Sequence, residues 1–564
     1  MSKRVILSKL YMLNKFIQRP GAKVLGYTFA ISLCLISPSV INSTSWAQTR
    51  SNVNPLIEQL QSSNEQQWLK AAEALSKRGT EAVPALRNAL KSPNARVRSG
   101  AAFALGRIGA VASVAIPDLA LLLKDSNQLV RANAVFALGN MGKATKSVVP
   151  QLAETLKDKD NNIRVSIIRV FEALGTDARA AVPGLIAILD DPDATLIYNA
   201  VQALLQIGET PELIAATKNP NPQIRGAAIA SLARTNNPET IKVITAGLKD
   251  TDARVRRNAV VTLRLVAAKA KSTVPALIDA LKDPDEGVRQ MAAEALGEIR
   301  PLKEMVAALL SENENLQRGA AYALGKIGAA AVPDLRNALK HPNPRVRSYA
   351  ASALGDMGLP AKAALPELTV ALKDSDAKVR ENAIRAIGFS GKAKTLIPQL
   401  TKLLKDNNPL VRNAAAKSLN MGSVAKAAIP ELTLALKDSN SDVRKSALYA
   451  LSSMGEQAKS VSPQIAAMLQ DKDVLIRTDV VSTLINVHDN KSTVLPYLGN
   501  ALKNPDKNVR VAAAYALGDI SNPTKETIRY LLAGNTDSDQ DVRGAVAVSL
   551  SKIRAKAPNL MPKK

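Results

Sequence analysis

An all-α, right-handed α-solenoid of about sixteen helix-pair repeats is the fold this sequence predicts, on three observations. The first is a repeat. The frame LKDSDAKVRENAIRAIGFSG at 372–391 returns as LKDSNQLVRANAVFALGNMG at 123–142 and as LKDPDEGVRQMAAEALGEIR at 281–300. An arginine marks its register at Arg98, Arg131, Arg164, Arg225, Arg256, Arg289, Arg318, Arg347, Arg380, Arg412, Arg444, Arg477, Arg510 and Arg543, at intervals of 29 to 33 residues apart from one of 61. That wide interval reads as a copy in which Tyr198 replaces the arginine, and Lys70 reads as the register residue of a degenerate first copy, which makes sixteen. A period this regular over so much chain is the mark of a repeat array. The second observation is composition: hydrophobic residues reach 46% while aromatics are 3%. Small aliphatics must therefore build the core, which suits closely packed helices rather than strands. The third is length, since 564 residues exceed the usual size of one globular core.

Residues 1–47 stand apart from the array. Six bases (Lys3, Arg4, Lys9, Lys15, Arg19 and Lys23) precede an apolar run, VLGYTFAISLCLI, at 24–36, and Ser45-Trp46-Ala47 then offers small residues at the two positions that signal peptidase reads. The segment reads as a signal peptide cleaved between Ala47 and Gln48, with a periplasmic or secreted product. The run at 24–36 is shorter than the roughly 20 residues of a membrane-spanning helix. The alternative is a membrane anchor through residues 24–36. The only cysteine, Cys34, lies in this leader, so a disulfide framework and a thiolate metal site are both excluded. Leu33 in front of it departs from the small residue expected at a lipidated cysteine.

Residues 48–554 form the array. In each unit a first helix carries an apolar stripe, as in Val379, Ala383, Ile384 and Ile387. An aspartate or serine ahead of it caps the open amides, and a glycine eleven residues after the register position (Gly109, Gly142, Gly175, Gly358, Gly391, Gly455) ends it. An earlier glycine, such as Gly106 or Gly139, allows a neighbour to come close. A second helix opens on proline (Pro84, Pro117, Pro366, Pro430), where a missing N–H costs nothing. Leu368 and Leu372 exemplify its buried stripe. No such pair buries its apolar faces alone, so neighbours stack. Trp68, in the atypical first unit, is expected to be at least half buried and to cover the end of the core. Residues 555–564 are a basic C-terminal tail.

Nine times an aspartate precedes the register arginine by six residues, as in Asp125–Arg131, Asp158–Arg164, Asp283–Arg289, Asp374–Arg380, Asp406–Arg412, Asp438–Arg444 and Asp471–Arg477. With the helix-opening prolines, this frame resembles the HEAT-repeat family, in the bacterial variant shared with phycobilisome-lyase-like HEAT repeats. The resemblance covers about 53–554. It implies an α-solenoid in which these aspartates and arginines form a structural ladder between successive repeats, and in which the second helices line the concave surface. It specifies a scaffold, and a fold does not fix a function.

The formal charge is +26, and about +20 remains once the six leader bases are removed, which still permits attraction to anionic partners. The arginines have the ladder to serve and nucleic acid is not an expected partner. A series of lysines (Lys91, Lys124, Lys157, Lys249, Lys282, Lys340, Lys373, Lys405, Lys437, Lys503) ends the proline-led helices, where cations suit the helix dipole. The aromatics Phe103, Phe136, Tyr449 and Tyr515, five residues past the register position, read as core. Two histidines, His341 and His488, lie far apart in the array. HEAT enzymes resembling deoxyhypusine hydroxylase hold iron through His–Glu pairs, and this sequence has none. No catalytic, metal or cofactor-binding residue and no cofactor is therefore assigned.

Residues three and four after each proline are the expected partner-binding stripe, represented by Arg336, Asn337, Thr369, Val370, Thr401, Lys402, Thr433 and Leu434. The stripe mixes small apolar residues with few charges, which points to a protein or peptide. The expected function is an exported, monomeric, non-enzymatic scaffold binding such a partner on its concave face. Two alternatives follow. One is a bilin-lyase-like or hydroxylase/oxidoreductase-like HEAT enzyme, or its accessory subunit. The other is binding of an anionic polymer along the lysine rim. Membrane association is expected only if the leader is uncleaved.

Overall fold

The computed structural model describes residues 53–266, 271–488, 491–520 and 522–560. The leader 1–47 with its Ala47/Gln48 cleavage site, the run 24–36 and the last four residues of the tail lie outside the described residues. Among those described there is no strand; α-helices alternate with short 3₁₀ turns from Val53–Gln59 to Pro558–Leu560. The protein is an all-α solenoid, and its chain divides into two compact units, Met1–Thr273 and Val274–Lys564.

One repeat of the second unit shows how sequence makes the element. The proline-led helix Leu365–Ala371 carries Pro366 in its first turn and buries Leu368. A turn follows, and then the register helix Ala377–Phe389. The Asp376 side chain accepts from the amides of Lys378 and Val379, two of the four that a helix start leaves open. Val379, Ala383, Ile384 and Ile387 are fully buried, as their spacing requires. Gly391 then takes φ 72°, a conformation that any side chain resists. The 3₁₀ turn Ala393–Leu396 leads into the next proline-led helix, Ile397–Lys402. The register helices of adjacent repeats pack side by side, as Pro344–Met357 does against Ala377–Phe389. Glycine sets how close they come: a Cβ on Gly106 would sit 2.8 Å from the Cα of Ala137. The stretch Ala95–Lys124 is long and apolar enough to cross a membrane by composition, yet Gly109 at φ 76° folds it back into one helix pair of the array.

Three register positions differ from the sequence reading. Each register residue donates its amide to the carbonyl of the capping residue four positions earlier, as Arg98 does to Asn94. By that criterion the positions are held by Trp68, Ile197 and Gln317, not by Lys70, Tyr198 and Arg318. The arginine and tyrosine were one residue out of phase and the lysine two. Tyr198 is accordingly half exposed while Gln317 is fully buried. The aromatics are a second correction. Phe136, Tyr449 and Tyr515 are 39%, 42% and 43% exposed, so position five after the register is not core: Phe136 and Tyr449 lie against a neighbouring repeat with one side open to solvent. Trp68, Phe103 and Phe136 follow one another across successive repeats with ring centroids 5.9 and 5.6 Å apart. Trp68 is more than half buried, and its indole donates to the carbonyl of Arg96 at 3.1 Å. At the other end the last register helix, Gln540–Lys556, runs two residues beyond 554.

The arginines and aspartates build a ladder whose connectivity is not the spacing of six. Arg131 places Nε and Nη2 on the carboxylate of Asp158, 27 residues ahead in the next repeat, at 2.6 and 3.1 Å. Its Nη1 donates to the backbone carbonyl of Asp125, the aspartate six residues back. The carboxylate of Asp125 is held by Arg98 of the preceding repeat. The same rungs join Arg164 to Asp191 and Arg225 to Asp250 in the first unit. In the second they join Arg347 to Asp374, Arg380 to Asp406, Arg412 to Asp438 and Arg444 to Asp471. Arg289 donates to the carbonyls of Asp283 and Pro284, and the next repeat has Ser311 at the sequence position of the aspartate. Arg477 reaches the capping Asp506 instead, because Asn504 stands in the usual place. Forked charge-assisted pairs at low exposure are the strong kind. Burial pushes the carboxyls of Asp374, Asp406, Asp438 and Asp471 up, but the guanidinium of the preceding repeat and the backbone amide of the carboxylate's own turn outweigh it and hold them below the usual carboxylate range.

Candidate functional site: the face of the proline-led helices

The proline-led helices are about two turns long and show one side to their register helices. Leucine two residues after proline is buried, as Leu335, Leu368, Leu400 and Leu432 are. The next two positions turn outward, since a helix advances about 100° per residue. Arg336, Thr369, Thr401 and Thr433 are half-buried, whereas Asn337, Val370, Lys402 and Leu434 are exposed. Val370 and Leu434 are 74% and 62% exposed, large values for aliphatic side chains.

Hydrogen bonding makes this stripe more apolar than its composition. Thr369 Oγ1 donates to the carbonyl of Leu365, Thr401 Oγ1 to Ile397 and Thr433 Oγ1 to Ile429, all at 2.7–2.8 Å. Each hydroxyl hydrogen is spent within its own helix, so the threonines offer their methyl groups outward. Beside Thr433, a shallow cleft of about 350 Å³ opens between consecutive proline-led helices, lined by Leu436, Pro463, Ala467 and Met468 with the polar Gln464 and Gln470 at its rim.

The charges of the stripe are largely paired. Arg336 forks onto Glu367 at 2.9 and 3.0 Å, and Arg87 reaches Asp118 at 2.5 Å. The Arg336 guanidinium holds the Glu367 carboxyl below the usual range despite its burial. These are two separate ion pairs, each between neighbouring proline-led helices, that sequence reasoning missed. Their signal was legible: base and acid are 31 residues apart in both, three and one residues after successive prolines. Of the rim lysines, Lys124 pairs with Glu154 at 2.8 Å and Lys405 lies 3.9 Å from Glu431.

The histidines sit in separate local roles. His341 Nδ1 accepts from the amide of Asn343 and so closes a turn. His488 is buried between Ser462 Oγ at 3.0 Å and Thr493 Oγ1 at 2.8 Å. Burial, then the Lys459 charge, lowers its pKa and favours the neutral ring. Among the described residues no group of three or more His, Cys, Asp or Glu side chains is placed to hold a metal ion.

Family comparison matches HEAT repeats to residues 53–120, 116–205, 210–269, 248–311, 302–370, 365–424 and 461–551, and a HEAT repeat to 428–458. Over 154 residues, 25% of this chain and 75% of the other, the sequence is 32% identical to the "uncharacterized phycocyanin operon protein Z" of Pseudanabaena tenuis (strain PCC 7409). Among solved structures, yeast importin-β (Kap95p) aligns at 14% identity and a TM-score of 0.43, over 90% of this chain and 83% of that one. Kap121p aligns at 12% identity and 0.33, over 90% and 83%. Likeness at that level assigns neither partner nor function.

Proposed function

We propose that this chain, which belongs to the HEAT-repeat family, is an exported, non-enzymatic scaffold that binds a protein or peptide along its proline-led helices. The observation that carries the reading is the stripe of exposed Val370 and Leu434 beside threonines whose hydroxyl hydrogens are already spent. Such a surface rewards an apolar segment and offers little to a polyanion. The paired state of Arg336 and Arg87 points the same way, because bases held by Glu367 and Asp118 are poor anchors for an anionic polymer. Export rests on the leader, with its bases, its apolar run at 24–36 and Ala47 before Gln48.

The test is affinity capture from the native extracytoplasmic fraction, with the wild-type chain and a variant carrying Thr369→Asp, Val370→Asp, Thr433→Asp and Leu434→Asp. The expected result is loss of the captured partner with unchanged far-UV circular dichroism. An identical set of partners on both proteins overturns the reading. The operon named in the description of the Pseudanabaena relative also makes a bilin-related enzyme worth measuring. Stoichiometric iron in the purified protein, or bilin transfer by it, would replace the scaffold with that enzyme.

A further inference from the structure

Over four consecutive repeats the two edges of the second unit differ in charge, with the exposed Glu456 beside Lys459 as the one acid within the four turns of the basic edge. On one edge the proline-led helices pass into the register helices, and lysines there alternate with aspartates: Lys373 with Asp374 and Asp376, Lys405 with Asp406, Lys437 with Asp438. On the other edge the 3₁₀ turns Leu359–Ala364, Ala393–Leu396, Gly422–Ala428 and Gly455–Val461 join each register helix to the next proline-led helix. Four residues before the proline, every one of these turns carries a lysine: Lys362, Lys394, Lys426 and Lys459. Lys392 adds a fifth. All five are exposed and none is ion-paired with a described carboxylate. Stacked helices lie about 10 Å apart, so this is a file of cations at about that interval along one edge.

Large apolar side chains project from the same turns. Leu359 is 68% exposed, Phe389 at the end of its helix 60%, and Val424 49%. Leu359 and Phe389 belong to adjacent repeats: a Cβ on Gly391 would lie 3.4 Å from Leu359 Cδ2, and one on Gly358 3.9 Å from the Phe389 carbonyl oxygen. Core packing does not require them to be large, since the solenoid buries its stripe elsewhere. Lysines flanking projecting Phe, Leu and Val on turn tips, outside any groove, fit a surface that is anionic outside and apolar beneath.

We infer that the edge formed by these four turns docks on an anionic lipid bilayer, with Phe389, Leu359 and Val424 entering the headgroup region and Lys362, Lys392, Lys394, Lys426 and Lys459 meeting lipid phosphates. This surface is separate from the partner stripe and does not rest on the function proposed for it. The energetics are additive and modest. Each lysine near a negative surface contributes about a fivefold gain in partitioning, and an inserted side chain contributes more where it leaves water.

The experiment uses the full chain with Phe389→Trp and vesicles of phosphatidylcholine, with or without about one-third phosphatidylglycerol, a mixture that carries a negative surface potential. A second protein carries Asn407→Trp on the opposite edge. The expected result is a blue shift of the tryptophan at 389, and its quenching by brominated lipid, on the anionic vesicles alone. The tryptophan at 407 is expected to stay water-like. Adding Lys392→Glu, Lys394→Glu and Lys426→Glu should weaken the shift at least tenfold in lipid concentration, and raised salt should do the same. Because all variants share the apolar run at 24–36, insertion of that segment cannot produce a difference between positions 389 and 407. Equal shifts at the two positions, a shift on neutral vesicles, or no shift at 389 overturns the inference. So does binding of polyphosphate or an acidic protein that leaves anionic vesicles untouched.

Discussion

Within the second unit, the repeats led by Arg347, Arg380, Arg412 and Arg444 differ from those led by Arg289 and Gln317. In the first group every arginine finds an aspartate in the next repeat, at 2.6–2.8 Å. In the second, Ser311 holds the sequence position of the missing aspartate and its Oγ has no partner, and Gln317 Nε2 reaches only the carbonyl of Ser311 while its Oε1 stays buried and unpaired. Arg300 closes the Arg289 repeat in the left-handed region, at φ 59°, where most other repeats use glycine. Both groups keep the apolar stripe and the stacking. The rung is therefore an addition to the solenoid rather than its cause, and stability along the array should vary with it.

Acid separates the two groups most. The rung carboxylates titrate below their usual range in the folded chain, so the unfolded chain binds protons more readily there. Their contribution is complete above a pH of about 4 and is lost as pH falls through the lower folded values. Each of the four rungs adds to that loss, in the same direction. Amide exchange in register helices 344–453 should accelerate with acid more than in 314–327, and equal acceleration would remove the rungs as its cause.

A single rung gives the next largest effect. Arg444→Ala leaves Asp471 as an uncompensated carboxylate whose side chain is 7% exposed, at a cost of about 3–5 kcal/mol. The measurement is the urea midpoint together with local exchange around 441–486. Losses confined to a few tenths of a kcal/mol would place the pair among ordinary surface bridges. The converse change sharpens the comparison. Ser311→Asp gives Arg289 the missing acceptor and should add about 1.5 kcal/mol to the interrupted repeats. A stability unchanged or lowered would mean that the shorter spacing there moves the arginine out of reach. Smallest is Arg300→Gly, which removes left-handed strain and should stabilise the chain by about 1 kcal/mol in the same denaturation assay.

Much of this was legible in the residues. Period, capping aspartates, turn glycines and helix-opening prolines are local signals, read by the backbone over four or five residues, and they determined the all-α repeat and the outward positions of Val370 and Leu434. The second capping residue is asparagine, as at Asn343, Asn408 and Asn440, where the sequence reading expected serine. The phase of Trp68, Ile197 and Gln317 was also local, but charge and size at neighbouring positions masked it. Tertiary structure alone decided pairing. An aspartate six residues before an arginine is near it in sequence, yet the stacking angle of the helices delivers its carboxylate to the arginine of the preceding repeat. Stacking likewise left Phe136, Tyr449 and Tyr515 partly exposed. It also gathered Lys362, Lys394, Lys426 and Lys459, 32 or 33 residues apart in the chain, onto one edge. A sequence pattern states which side chains a repeat presents, and only the packing of one repeat on the next determines what each of them meets.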